Sequence, residues 1–133
     1  MSGGLSRAFR DTDYLTEGAV ARIGRRSASM AALLRRLGAG QGVFLSAWNP
    51  MAKSQPLGWN HRAQARLWRE ARRRRFVPAR SQPRPAAHAH WGEDQIFLAT
   101  DLRVALRLAR RFRQLAVVAV RHDGAARLVW LKF

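Results

Sequence analysis

Cysteine is absent from this sequence, which removes disulfide staples, thiolate-held zinc or iron–sulfur centres and any thiol nucleophile. A reducing compartment fits this but does not follow from it. No apolar run approaches the roughly 20 residues that cross a bilayer, and Met1 to Asp13 lacks the apolar stretch of a secretory signal. The expectation is a cytoplasmic chain with no membrane partner. Also missing are a Walker loop, a G-x-G-x-x-G turn, a helix-turn-helix spacing, an RNA-recognition signature and a zinc finger. Ser46 precedes Ala47 in an apolar run and stands in no G-x-S-x-G elbow, so it reads as a strand residue bonded to backbone. The glycines between Gly38 and Gly42 follow a predicted helix and enter a predicted strand, the reverse of the order that points helix amides at phosphate. No motif names a cofactor.

Acids are scarce: 8 stand against 25 basic residues in 133, for a net charge of +17, and 23 of the basic residues are arginine. Lysine occurs only at Lys53 and Lys132, while alanine is as frequent as arginine. That skew is what GC-rich coding produces without selection for any partner. The charge is nevertheless concentrated, because nine arginines between Arg62 and Arg84 face the single acid Glu70. A field of this sign attracts nucleic acid or another polyanion. With 47% hydrophobic residues, the chain has the content for one continuous core.

Punctuation along the chain places the elements. Met1–Asp13 is glycine- and serine-bearing and reads as a flexible lead, with a single globular domain over 14–133. Partial alternation from Tyr14 to Ile23 predicts a strand. Ser27 or Ser29 can cap a helix whose Met30, Leu33, Leu34 and Leu37 share one face, and Gly38 ends it. Val43–Trp48 reads as a strand stopped by Asn49-Pro50. Asn60 is the expected cap of a second helix, which buries Ala63, Leu67, Trp68 and Ala71 and exposes Arg62, Arg66, Arg69 and Arg73 as a stripe. Phe76–Ala79 and Ile96–Ala99 read as short strands, and Ser81–Ala89 as an extended loop. Asp101 or Thr100 caps a third helix with a second arginine stripe, Arg103, Arg107, Arg110 and Arg111, and Asp123-Gly124 joins a final hairpin. The expected fold is α/β (α+β mixed): a single domain with a mixed sheet of about five strands and three helices, in the order β-α-β-α-β-α-β-β.

Three constellations carry chemistry. The arginine stripes, near Trp59, Trp68, Phe76 and Trp91 in sequence, have the guanidinium and aromatic content for phosphate binding and base stacking. The commoner meaning of such a run is the solvated face of an amphipathic helix, with the tryptophans in the core. His88 and His90, followed by Glu93 and Asp94, contain metal-ligating atoms, but a lone H-x-H in a proline-rich loop has nothing to fix it, and no metal is expected. The third set is Trp48, Asn49, Asn60, Trp91, Glu93 and Gln114. Each stands at the end of a predicted strand or helix, where loops gather into clefts. In that set Glu93 is the candidate general acid or base and the amides would orient a small ligand. Each member also has a plain structural reading, as a cap, turn, surface or core residue.

Through Phe44-Leu45-Ser46-Ala47-Trp48-Asn49-Pro50, then Asn60 with Arg62 and Leu67, then Trp91-Gly92-Glu93, then Arg111-Phe112-Arg113-Gln114 leading into Ala116-Val117-Val118, the chain resembles a bacterial family known as domain-of-unknown-function family 3293. The resemblance runs from about Tyr14 to Leu131. It implies a stand-alone bacterial domain whose shared features are the A-W-N-P turn, the downstream asparagine, the W-x-E segment and the helix-end glutamine. No activity, substrate or cofactor comes with it. The chain departs from the family pattern at Asp94-Gln95, where a serine tends to follow the glutamate, and at Leu115, where an asparagine tends to follow the glutamine. The arginine cluster falls largely between the shared motifs.

Overall fold

In the computed structural model, which describes residues 3–84 and 92–133, one sheet forms around apolar central strands buried on both faces. Its strands are β1 (Thr12–Thr16), β2 (Ala19–Ala21), β3 (Gln41–Leu45), β4 (Phe76–Pro83), β5 (Glu93–Leu98), β6 (Ala116–Arg121) and β7 (Ala126–Trp130), hydrogen-bonded in the order β2-β1-β4-β5-β3-β6-β7. The helices among the described residues are α1 (Gly3–Arg10), α2 (Ala28–Leu37), α3 (Leu57–Ala71) and α4 (Leu102–Arg111).

Every neighbouring strand pair is antiparallel, which corrects the expectation of a mixed sheet of about five strands. The crossovers β3-α3-β4 and β5-α4-β6 do connect strands that run the same way. In each, however, an antiparallel strand fills the gap: β5 lies between β3 and β4, and β3 lies between β5 and β6. The strand expected over Tyr14–Ile23 is a hairpin, because Glu17 and Gly18 both take positive φ, 47° and 80°, the geometry of a tight two-residue turn. The lead Met1–Asp13 holds α1 and the start of β1. Phe9 of α1 stands edge-on to Trp130, 5.6 Å between ring centres.

Helix ends follow their chemistry. Ser27 Oγ accepts a hydrogen bond from Met30 N at 3.1 Å and Gly38 closes α2 at φ 66°. Asp101 Oδ1 accepts from Val104 N at 3.0 Å to start α4. The second helix begins earlier than expected, at Leu57 behind Pro56, so Asn60 is inside its first turns and not its cap.

The two faces of the sheet carry separate cores. Val43, Leu45, Ile96, Leu98, Val117 and Ala119 pack against Ala63 and Leu67 of α3 and Ala105 and Ala109 of α4. Their neighbours in sequence, Phe44, Phe97, Val118 and Val120, point the other way and pack with Tyr14 against Met30, Leu33 and Leu34 of α2. Beyond β2, Ile23 bridges Ala126 of β7, and Gly24 N donates to Ala126 O at 2.9 Å. The sheet therefore curls until its two edge strands approach. On the inner face, Phe44 and Phe97 lie 4.7 Å apart between ring centres. Gly42 lets that ring in: a Cβ there would sit 2.2 Å from Phe97 Cζ.

Candidate functional site

The site forms where the inner face of the sheet changes from apolar to polar. Side chains two apart on a strand share a face. Moving along each strand towards one end of the sheet, Phe97 is followed by Gln95 and Glu93, Phe44 by Ser46 and Trp48, Val118 by Ala116 and Gln114, and Tyr14 by Thr12. At that end β3 and β4 finish while β1, β5 and β6 begin. Apart from Phe97 and Val118, these side chains line a cavity of about 220 Å³, together with Ser81 and Pro83 of β4 and with Leu5, Ala8 and Phe9 of α1. Glu93 is the only acidic or basic side chain among the described residues of its lining.

The A-W-N-P turn after β3 shapes one wall. Asn49, Met51 and Ala52 all take positive φ, 46°, 56° and 59°, a conformation that L-residues other than asparagine seldom adopt. Asn60 on α3 holds it from both sides. Its Oδ1 accepts from Asn49 N at 3.0 Å and its Nδ2 donates to Asn49 Oδ1 at 2.9 Å. Asn49 Oδ1 also accepts from Gln55 N at 3.0 Å, which fixes the amide so that Asn49 Nδ2 donates to Glu93 Oε2 at 3.0 Å. The helix, the turn and the carboxyl group are thus one hydrogen-bonded chain. Gln64, also buried on α3, accepts from Ala47 N at 3.1 Å. Gln114 Nε2 donates to Trp48 O at 3.1 Å, and Met51 N donates to Arg113 O at 2.7 Å, tying the turn to the entrance of β6.

Burial pushes the Glu93 carboxyl from 4.5 up to about 7, against the opposing pull of the Asn49 hydrogen bond. Tyr14 shares the cavity. Burial first, and then the nearby Glu93 charge, hold its hydroxyl well above the usual phenol range, against a hydrogen bond with Thr12. The Trp48 indole Nε1 is buried without a hydrogen-bond partner among the described residues, and the ring stands edge-on to His61, 5.4 Å between centres. The cavity can therefore offer a proton from a near-neutral carboxyl and amide groups at its rim, over an aromatic floor.

Of the expected set, Trp48, Asn49, Glu93 and Gln114 line the cavity, and Asn60 stands directly behind Asn49 as its support. Trp91 lies outside the described residues, as do His88 and His90. No group of three or more His, Asp or Glu side chains able to hold a metal occurs among the described residues. Ser46 is bonded to backbone, its Oγ donating to Asp94 O at 2.6 Å. Sequence reasoning missed Tyr14, Gln95 and the α1 wall. Carrying the strand expected at Ile96–Ala99 back to Glu93 puts Gln95 and Glu93 on the Phe97 face by two-residue spacing, whereas nothing local ties α1 to the site. Arg62, Arg66 and Arg69 on α3, Arg73 in the turn after it, and Arg103, Arg107 and Arg110 on α4 are all exposed and absent from the cavity lining. Trp68, expected on the buried side of its helix, is 42% exposed.

A family described as "Protein of unknown function (DUF3293)" matches residues 45–117. The chain belongs to this family. The matched segment contains the turn, Asn60, Glu93 and Gln114, so the hydrogen-bonded core of the site falls within the family's span, while α1 and Tyr14 precede it. No curated protein and no solved structure matches the chain. No helix among the described residues is long and apolar enough to cross a membrane.

Proposed function

We propose that this family member binds a small ligand in the cavity at the end of the curled sheet, and that Glu93 exchanges a proton with it. The observation that carries this reading is the isolation of Glu93: one carboxyl group in an otherwise neutral, partly aromatic lining, held in place through Asn49 and Asn60. Such a group keeps its proton near neutral pH or gives it up when a cation arrives. A ligand of about ten heavy atoms with an amine or another protonatable group over an apolar body suits both the volume and the chemistry. The same features suit a general acid or base, whose best working range lies near its own pKa.

The reading is tested by NMR titration of the protein with size-matched fragments: benzylamine, benzyl alcohol, benzamide and benzoate. Benzylamine should shift the side-chain amide signals of Asn49 and Gln114 most, benzoate least, and the Glu93→Gln variant should lose that preference. If the fragments perturb other surfaces, or if Glu93→Gln retains the order, the cavity is not a ligand site of this kind.

A further inference from the structure

The acids of this chain are unevenly spent. Asp13 pairs with Arg22 and Arg84, Asp123 with Arg26 and Arg121, and Asp94 with Arg80 and His61. The layer formed by α3 and α4 is treated differently. Its exposed acid Glu70 accepts from Arg111 Nη1 at 2.7 Å, joining the two helices. Arg66, Arg69, Arg72 and Arg73 line a surface depression together with Glu70. Among the described residues none of these four has a carboxylate within ion-pair distance.

Coding bias makes arginines frequent, but it does not arrange four unpaired guanidinium groups beside one acid that is already neutralised. Crowded like charges repel one another unless an anion is shared between them. Guanidinium forks match phosphate oxygens in pairs. One aromatic ring stands outside that lining, on the flank of α3 that leads to Arg72. Trp68 is exposed on the same helix, one turn before Arg72, its ring braced edge-on by Phe76 at 5.1 Å. A braced, exposed indole beside phosphate-binding groups is the pattern that holds an unpaired base, and neither an acidic peptide nor a lipid headgroup requires it. The Arg103 and Arg107 stripe of α4 extends the positive surface past the Glu70–Arg111 junction.

We propose that the α3–α4 face binds single-stranded nucleic acid, with Arg66, Arg69, Arg72 and Arg73 on consecutive phosphates and Trp68 stacked on a base. The surface is separate from the Glu93 cavity, and neither proposal depends on the other.

The test is fluorescence polarisation with labelled oligo(U) and oligo(dT) of about 12 nucleotides, and with a duplex of equal length. Engaging four phosphates predicts a log–log salt slope of about −3 for single strands. The variant R66A/R69A/R72A/R73A should weaken binding at least about tenfold more than R7A/R25A/R35A/R36A, which removes the same charge elsewhere. Trp68→Ala should weaken single-strand binding about tenfold while leaving association with polyglutamate and with phosphatidylglycerol vesicles unchanged. The single variants Arg69→Glu and Arg73→Glu, checked for an unchanged melting temperature, serve if the quadruple variant misfolds. Equal losses in both quadruple variants would reduce the surface to net charge. Tighter binding to vesicles, polyglutamate or duplex than to single strands, or no effect of Trp68→Ala, would overturn the proposal.

Discussion

Replacing Glu93 by glutamine should make the protein more stable, and only above acidic pH. In the folded chain the carboxyl titrates at about 7, against 4.5 for the unburied group. Between those values the folded state binds more protons than the unfolded state, so stability falls as pH rises through the window. The full effect of that shift, at about 1.4 kcal/mol per pKa unit, is about 3 kcal/mol, and partial exposure of the side chain trims it towards about 2. Glutamine keeps an oxygen to accept from Asn49 but cannot ionise. Urea denaturation of both proteins from about pH 4 to about pH 9 therefore gives a difference curve that cancels the other titrating groups. The curve should be flat below about 4.5, rise in favour of the variant to about 2–3 kcal/mol by about 7, and stay level above it. Parallel stability profiles would show that Glu93 is not desolvated in solution. An advantage that grows as pH falls would mean instead that the folded state stabilises its charged form.

Two other changes probe the frame around that group. Gly42→Ala places a Cβ 2.2 Å from Phe97 Cζ and should cost about 3 kcal/mol in denaturant unfolding, with part of the loss recovered when Phe97→Leu is added. Asn60→Ala removes the two bonds from Asn60 to Asn49 and leaves the one from Gln55 N; it should cost about 2–4 kcal/mol and, by loosening the Asn49 donor, move the Glu93 midpoint upward, as read from the carboxyl carbon shift in an NMR pH titration.

Much of the local structure was legible because its causes are local. Ser27 and Asp101 cap helices as side-chain chemistry requires, Gly38 supplies the left-handed stop, and the strands of the final hairpin flank the Asp123-Gly124 turn. The site was legible in part for the same reason. Asn49, Glu93 and Gln114 stand at element ends, and element ends on one side of a sheet converge. Asn60 is not the helix cap that its local sequence suggests, since α3 begins at Leu57. A helix cap is a property of one turn of chain, whereas its bonds to Asn49 reach 11 positions back and arise from where α3 packs. Trp68 was misplaced because helical periodicity gives a face without its width.

The sequence alone determined the arginine excess, the lack of thiol chemistry, the order of most elements and the identity of the groups available for a site. Only the tertiary structure decided that the crossover strands interleave into an antiparallel sheet, that α1 and Tyr14 enclose the polar end of its inner face, and which arginines keep an acid for a partner. The division has a physical basis. Caps, turns and periodic faces depend on bonds within a few residues. Burial, which sets the pKa of Glu93, and charge pairing, which sets apart the α3–α4 face, depend on distant segments meeting as the sheet curls.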